Sequence, residues 1–272
     1  MQITEIGQIT LWGVDGEPIP LSRPGRPIKA GVRLTTTPQG LSGSGIEHLF
    51  DEATGEHKGV VRAAPQPLRL DLQAVGRYPR QYVHELLQAL GNGDRPVAVS
   101  AVSPEMGWRW KHYYFREVSE INWHGSSPGS PLVQFSVLLD TGKREWRRFD
   151  EQITLGPDTE WGAVEIPIDG DMDVWPRFTI SGKHEGVAIK LHPMDDAQEV
   201  PESTTGWVID SHPERRLVAD LDGTQLFNGF VPFWPEPVAN VGGKGTLQID
   251  VNLPGDDFQI VLDYTPEASR AW

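Results

Sequence analysis

The stretch that decides the fold is Asp173–Gly182, DVWPRFTISG, a little past the middle of the 272-residue chain. It begins with a Trp-Pro pair, continues with alternating polar and apolar side chains, and stops at a glycine. Alternation with a period of two predicts a β-strand with one buried face, and proline is tolerated at the first residue of a strand. We therefore expect one strand of a β-sheet here, and the segments around it indicate which kind of sheet.

Seven further segments of the second half of the chain alternate in the same way and are separated by turns at fairly regular spacing. They are QITLG, AVEIPID, GVAIKLH, GWVIDS, RRLVADL, TLQIDVNL and DFQIVLDY. About eight short strands without a helical segment predict a β-sandwich or jelly roll.

The charge of the chain is distributed unevenly. Residues 1–148 carry 17 basic and 15 acidic side chains, a balance of +2, whereas residues 149–272 carry 7 and 23, a balance of −16. The shift predicts a domain boundary near Arg148, with one domain at 1–148 and a second at 149–272. The acidic second domain is either simply a solvated surface or an interaction surface, and both interpretations stay open.

The first half predicts β structure with a single helix. Apolar residues at i, i+3, i+4 and i+7 mark one helix face, namely Val83, Leu86, Leu87 and Leu90. Pro79 suits the first turn and Gly91 the C-terminal stop, so a helix is predicted at about 79–91. The aromatic-rich segment that begins at Trp108 and ends at Trp123 predicts a pair of strands.

The composition excludes several classes of protein. The chain has no cysteine, which rules out disulfides and cysteine-ligated metal sites. The net charge of −14 argues against a surface that binds nucleic acid specifically. The N-terminal sequence has no basic leader and no apolar stretch approaches about 18 residues, so neither secretion by the general route nor membrane insertion is expected.

Catalytic motifs are incomplete wherever they begin. Ser42 and Ser44 of GLSGSG are not placed as in G-x-S-x-G, so a flexible loop is the better interpretation. His84-Glu85 starts an H-E-x-x-H motif, but Gln88 stands where the second histidine is needed. We expect His84 and Glu85 on the solvated side of the helix, and we predict neither catalytic residues nor a cofactor.

The acidic run Asp169–Asp173 suggests calcium at first sight. An EF-hand loop needs glycine at its sixth position and glutamate at its twelfth, where this chain has Val174 and Ile180. A turn that leads into a strand is the better interpretation, and a metal site of another kind is left open. The ten tryptophans could stack on sugars, although packing is their commoner use.

A set of residues in the second half follows in an order that resembles a known family. The set is Trp175, Pro176, Ile180, Gly182, Ile209, Asp210, Asp222, Gly223, Phe233, Trp234, Pro235 and Asn240. In this order the residues resemble the distal tail protein family, or minor tail proteins, of siphovirus-type bacteriophages with long, non-contractile tails. The chain departs from the family pattern at Ala239, where the family has glycine, and Gly242 and Gly243 follow the asparagine instead.

The resemblance implies a fold and a structural role without enzymatic activity. It implies a split β-barrel-like, tail-tube-like domain with one helix at 1–148 and a galectin-like β-sandwich at 149–272. Members of the family form homo-hexameric rings that join the tail tube to the tip or baseplate hub and let DNA pass.

The resemblance also implies partners and a location. The expected neighbours are the tail-tube protein, the tail-tip or hub protein and the tape-measure protein, and the expected location is the tail tip of the virion. Strand residues Trp108–Phe115 are candidates for packing between ring neighbours. The alternative is a carbohydrate-binding module or glycan-active protein that contacts the host cell wall.

Overall fold

The computed structural model divides the chain into two compact units, Met1–Arg147 with Ser269–Trp272, and Arg148–Ala268. The last four residues, which the sequence analysis assigned to the second domain, belong to the first unit, since the N–H of Ala271 donates a hydrogen bond to the carbonyl of Leu41. The structure describes residues 7–41, 46–50 and 57–62 (backbone only for these two segments), 65–104, 107–121, 123, 132–143, 145–191, 197–200, 205–212, 214–215, 217–223 and 237–271.

The described part of the first unit contains ten strands and one helix. They are β1 (Gln8–Trp12), β2 (Pro18–Pro20), β3 (Gly31–Leu34), β4 (Ile46–Phe50), β5 (His57–Arg62), β6 (Leu68–Val75), α1 (Pro79–Leu90), β7 (Pro96–Ser103), β8 (Gly107–Val118), β9 (Leu132–Asp140) and β10 (Trp146–Arg147). Seven strands follow one antiparallel path through the main sheet, in the order β2-β1-β7-β8-β9-β6-β3, and β10 pairs with β8 beside that path. The sheet curls into a nearly closed barrel, while β4 and β5 pair separately.

The interior of the barrel follows from alternation along its strands. In β6, Leu68, Leu70 and Leu72 are buried and contribute to one core with residues of the other strands and of α1. The outward side chains between them are polar, as the period of two requires. The alternation thus gives the sheet an apolar inner face and a polar outer face, and the outer face remains available for contacts.

The helix confirms its prediction. It buries Val83, Leu86 and Leu90 in the barrel core, begins with proline in its first turn, and ends at Gly91, whose φ of 67° is in the left-handed region. Among the described residues no helix is long and apolar enough to cross a membrane.

The aromatic-rich segment differs from its prediction. It forms one twelve-residue strand, β8, instead of a pair, and Trp123 lies after the end of that strand. A register shift between Phe115 and Glu117 bends the strand without ending it, so that β8 pairs with both β7 and β9. A bulge of this kind breaks the alternation that the sequence pattern relies on.

The described part of the second unit contains ten strands: β11 (Glu151–Leu155), β12 (Gly162–Pro167), β13 (Arg177–Ser181), β14 (Gly186–Lys190), β15 (Gln198–Val200), β16 (Trp207–Asp210), β17 (Leu217–Asp220), β18 (Lys244–Asn252), β19 (Gln259–Tyr264) and β20 (Glu267–Ala268). One sheet has the order β11-β19-β13-β16-β17 and the other β12-β18-β14-β15. Apolar residues of both sheets form a single core, so the unit is a β-sandwich. The eight predicted strands are confirmed, and β15 and β20 are additional.

Candidate functional site

The two edge strands of the first sheet, β2 and β3, meet along a seam. The N–H of Leu34 donates a hydrogen bond to the carbonyl of Leu21 at 2.9 Å, and the N–H of Leu21 donates to the carbonyl of Ile9 at 2.8 Å. In the described backbone, the Leu34–Leu21 bond is the one that crosses the seam. With one hydrogen bond between its two edge strands, the sheet is nearly closed into a barrel. An opening remains beside that bond.

A cavity of about 640 Å³ opens beside the seam; we call it the seam groove. Residues 21–30, between β2 and β3, cover one side of it, and we call them the covering segment. This segment contributes the apolar side chain of Ile28. Leu21 and Leu34 supply further apolar lining, and the amide side chains of Gln73 and Gln134 lie on adjacent strands of its floor. The groove therefore combines apolar walls with hydrogen-bonding groups, the usual make-up of a binding site.

Arg33 holds the covering segment against the sheet. Its Nε and Nη2 atoms donate to Oε1 of Gln73 at 3.0 and 2.7 Å, and its Nη1 donates to the carbonyl of Ile28 at 3.4 Å. One side chain thus fixes both a floor residue and the covering segment. This arrangement gives the groove a defined shape before any ligand binds.

The covering segment carries positive charge only. Between Pro18 and Leu41 the sequence has four basic residues, including Arg23, Arg26 and Lys29, and no acidic residue. These three side chains are exposed, and no described carboxylate forms an ion pair with them. In a chain of net charge −14, this segment attracts acidic partners.

The aromatic side chains of β8 divide between the two faces of the sheet. Tyr113 is fully buried against Trp146, with ring centroids 6.2 Å apart, whereas Tyr114 is 45% exposed. Trp108 lies beside Trp12 with ring centroids 6.0 Å apart. Much of this strand's aromatic area therefore packs within the unit, and its use between ring neighbours stays a prediction.

The same inner face of β8 also buries two cations. Arg109 is 2% exposed and its Nη1 donates to the carbonyl of Arg270 at 2.9 Å. Lys111 is 3% exposed, and burial lowers its pKa to about 8 against the opposing influence of Glu145. Burying a charge disfavours its charged form, which is why the pKa of the ammonium falls.

The candidate catalytic residues are not brought into a constellation. His84 and Glu85 are exposed on α1, and Oε1 of Glu85 accepts a hydrogen bond from Gln81 at 2.8 Å. Ser42 and Ser44 lie outside the described residues. Within the described ranges, no group of three or more His, Cys, Asp or Glu side chains could hold a metal ion.

Asn240 of the second unit closes the acidic loop that the sequence raised as a metal candidate. Its Nδ2 donates to the carbonyls of Gly170 and Met172 at 3.1 and 3.3 Å, and its backbone N–H donates to Oδ1 of Asp173 at 2.9 Å. A salt bridge joins Arg148 to Asp169 at the start of the loop. These bonds use oxygens that a cation would otherwise coordinate, so the loop is held by the chain itself.

Trp175 and Pro176 directly precede β13, and they contact residues that directly follow the end of β16. The ring of Trp175 meets His212 edge-on at 6.1 Å, and the carbonyl of Pro176 accepts a hydrogen bond from the hydroxyl of Ser211 at 2.7 Å. Asp210, 4% exposed, accepts from Nε of Arg215 at 2.8 Å. Residues distant in sequence therefore support one corner of the sandwich.

The two glycines of the residue set have different surroundings. Gly182 has a φ of 83°, and a Cβ there would lie 2.2 Å from the carbonyl oxygen of Asp257. Gly223 has the same φ but open space around it. Ile180 and Ile209 are in the core, and Asp222 is exposed beside Gly223. The remaining members, Phe233, Trp234 and Pro235, lie outside the described residues.

The described tryptophans of the second unit do not form an open aromatic platform. Trp207 is 7% exposed, Trp175 packs on His212, and Trp161 meets Phe258 edge-on at 5.5 Å. A sugar ring stacks on an exposed aromatic face, whereas Trp207 is buried and Trp161 and Trp175 are half-buried. Glycan binding stays a prediction without a described residue that favours it.

The sequence analysis missed the seam groove. Its parts come from three strands, since Arg33, Gln73 and Gln134 are brought side by side only by the sheet. One signal was present in the sequence: four basic residues in a stretch without acidic ones, inside an acidic protein. That signal indicates a basic surface but not the groove beside it.

The fold has counterparts among solved structures. The chain matches the Dit (gp 19.1) protein of phage SPP1, described as a paradigm of the hub adsorption apparatus in phages that infect Gram-positive bacteria, with a TM-score of 0.53 and 12% identity over 95% of this chain and 98% of that one. A chain of the phage P2 baseplate in its activated conformation with Ca matches with a TM-score of 0.48 and 10% identity over 97% and 99%. No family model and no curated protein sequence matches the chain.

The comparison with SPP1 Dit establishes the fold. The likeness extends over nearly the whole length of both chains, so it includes the nearly closed barrel and the sandwich together. The structural neighbours are phage tail hub and baseplate proteins.

Proposed function

We propose that this chain is a structural component of a phage tail tip, a distal tail protein that forms a hexameric ring. The ring would join the tail tube to the tip or baseplate hub, and its lumen would let DNA pass. In this proposal the first unit, Met1–Arg147 with Ser269–Trp272, forms the tail-tube-like ring domain, and the second unit, Arg148–Ala268, forms a galectin-like sandwich. The protein has a structural role and no enzymatic one.

The observation that carries the proposal is the fold shared with SPP1 Dit over 95% of this chain. It is supported by an independent feature of the sequence, the ordered residue set of the second half. Asn240, Trp175 and Pro176 belong to that set, and all three make contacts that hold one corner of the sandwich. A residue pattern and a backbone comparison thus indicate the same class of protein.

The surface of the chain is compatible with a closed assembly. A ring of identical subunits uses heterologous interfaces, in which two different surfaces of one chain meet. Residues 1–148 have a charge balance near zero, while residues 149–272 are strongly acidic. Acidic units on the outside of a ring repel one another weakly at a distance and keep a large assembly soluble.

The proposal is tested by native mass spectrometry of the purified chain and by negative-stain averaging of tails from a phage that encodes it. We expect six copies per particle and a ring at the distal end of the tail tube. A gene deletion should yield tails that lack the tip. A chain that remains monomeric at high concentration, and is absent from purified tails, contradicts the proposal.

A further inference from the structure

One side chain of the seam groove has hydrogen-bonding capacity that the chain does not use. Gln73 is 7% exposed, and its Oε1 accepts both donors of Arg33. Its Nε2 has no hydrogen-bond partner among the described residues. This donor opens into the groove, so it is available to an acceptor oxygen of a ligand there.

The other groups of the groove specify that ligand further. Arg23 and Arg26 are exposed at its rim without an ion pair to a described residue, and Ile28 and Leu34 provide apolar walls. A fitting partner therefore presents an apolar side chain next to carboxylates. Free phosphate lacks the apolar part, and an aliphatic surface lacks the charge.

The second unit presents such a group on the loop between β18 and β19. Leu253 is 69% exposed, although leucine is apolar, and it has a φ of 43°, the one positive φ of a non-glycine residue in the described chain. Asp256 and Asp257 follow within four residues and are exposed. Strained backbone around an exposed apolar side chain is typical of a contact site.

This loop is held in place before it meets a partner. The N–H of Gly255 donates to the carbonyl of Lys183 at 2.7 Å, and the N–H of Lys183 donates to Oδ1 of Asp257 at 3.2 Å. The N–H of Phe258 closes the turn on the carbonyl of Gly255 at 3.0 Å. Little conformational entropy is then lost when the loop binds.

We propose that the seam groove of one copy binds the Leu253–Asp257 loop of a second copy. Leu253 enters between Ile28 and Leu34, and the carboxylate of Asp256 meets Arg26 at the rim. The occupant is a second copy because this chain itself supplies the complementary charge, with a balance of −16 over residues 149–272, which include the loop.

The contact deepens the proposed function, on which it rests. Groove and loop are different surfaces, so each copy offers one of each, and the contact is heterologous. Contacts of this type close into rings when the rotation between copies divides a full turn.

Engineered cysteines test the contact directly, since the chain has none of its own. One preparation carries Arg26→Cys and a second carries Asp256→Cys; the two are mixed and mildly oxidised. A disulfide between these two positions can then form only between copies. The matched control mixes the Arg26→Cys preparation with one that carries Asp158→Cys, an exposed carboxylate on another turn of the same unit as Asp256. By intact mass, we expect at least a fivefold excess of the mixed disulfide from the Asp256→Cys pairing over that from the control pairing, and equal yields overturn the proposal.

Charge reversal provides a second readout that needs no oxidation. By sedimentation, Arg26→Glu should weaken association about tenfold, and adding Asp256→Arg to the same chain should restore it, because the pair is recreated with opposite signs. Leu253→Ser should weaken association without reversal of charge. Failure of the double variant to recover overturns the contact.

The outcomes separate this inference from the proposed function. Six-membered particles without the disulfide link overturn the groove contact and leave the ring intact. The link in particles of another size overturns the ring and supports the contact. An isotope-labelled copy of one preparation identifies the donor of each cysteine in the product.

Discussion

Leu34 donates its backbone N–H to the carbonyl oxygen of Leu21 at 2.9 Å, and this bond joins the two edges of the seven-strand sheet. The two residues are far apart along the strand order of the sheet, and both have buried side chains. This bond nearly closes the barrel, while the outer face at the same place remains open as the seam groove. The bond that joins the edge strands and the groove that can bind a ligand therefore involve the same two residues.

Ser22→Ala should destabilise the first unit. The hydroxyl of Ser22 accepts a hydrogen bond from the N–H of Ile9 at 2.9 Å and donates to the carbonyl of Gly7 at 3.1 Å, and the residue is 6% exposed. Loss of the hydroxyl leaves two buried backbone groups without these partners, and we expect about 1–3 kcal/mol less unfolding free energy. Urea denaturation followed by circular dichroism measures this. Gln88→Ala on the exposed side of α1 is the control and should change stability by under about 0.5 kcal/mol.

Gly182→Ala should be far more harmful than Gly223→Ala. Both glycines have a φ of 83°, so each alanine suffers the left-handed penalty of about 1–2 kcal/mol. Only at Gly182 would the added Cβ also lie 2.2 Å from a backbone oxygen, which adds about 1–3 kcal/mol of overlap. Thermal unfolding of the two variants compares these effects. Equal melting temperatures would contradict the packing described at this strand end.

Asn240→Ala should destabilise the acidic loop that precedes β13. The substitution removes two donor contacts to the carbonyls of Gly170 and Met172, and the acceptor for the N–H of Gly243 at 3.0 Å. We expect a loss of about 1–3 kcal/mol and faster amide exchange at Val174, whose N–H bonds to Val238.

Gln248→Ala, which truncates an exposed amide on β18, is the matched control for Asn240→Ala. It should leave both the unfolding free energy and the exchange rate at Val174 close to those of the wild type. Unchanged exchange at Val174 in the Asn240→Ala variant would show that the loop does not depend on Asn240.

Lys111→Met should change how stability depends on pH. The pKa of Lys111 is about 8 in the folded protein, against about 10.4 in the unfolded chain. Between these values the unfolded state binds more protons, so the wild-type unfolding free energy gains a contribution that rises with pH.

The methionine variant lacks this contribution. Its stability advantage over wild type should be largest below pH 8 and should shrink as pH rises toward 10. Paired urea titrations at pH 7, 8, 9 and 10 measure the difference. A difference that stays constant over this range would show that Lys111 is solvated in the folded protein.

The sandwich and the helix could be predicted because their patterns are local. Each predicted strand of the second unit alternates over its own length, and the apolar residues of α1 repeat within 12 residues. The single strand β8 could not be predicted, since the bulge at Phe115–Glu117 interrupts the alternation that would have joined its parts.

The bonds of the candidate site could not be predicted because they join distant parts of the chain. Arg33 and Gln73 are 40 positions apart, and Asn240 reaches Gly170 across 70. The order of the residue set in the sequence indicated a family, but it did not show that Asn240 fixes the acidic loop. Such contacts depend on which strands become neighbours, and a local pattern does not contain that information.

The contact between Arg109 and the carbonyl of Arg270 has a consequence for the time course of synthesis. The barrel receives Arg270 and Ala271 only after the whole sandwich sequence has been translated. At roughly 5–20 residues per second, the ribosome needs on the order of 6–25 s to travel from Arg148 to Arg270. During that interval the buried guanidinium of Arg109 lacks this acceptor, and the sandwich lacks its inner strand β19, which ends six residues before Arg270. Both units therefore complete their native contacts at nearly the same point of synthesis.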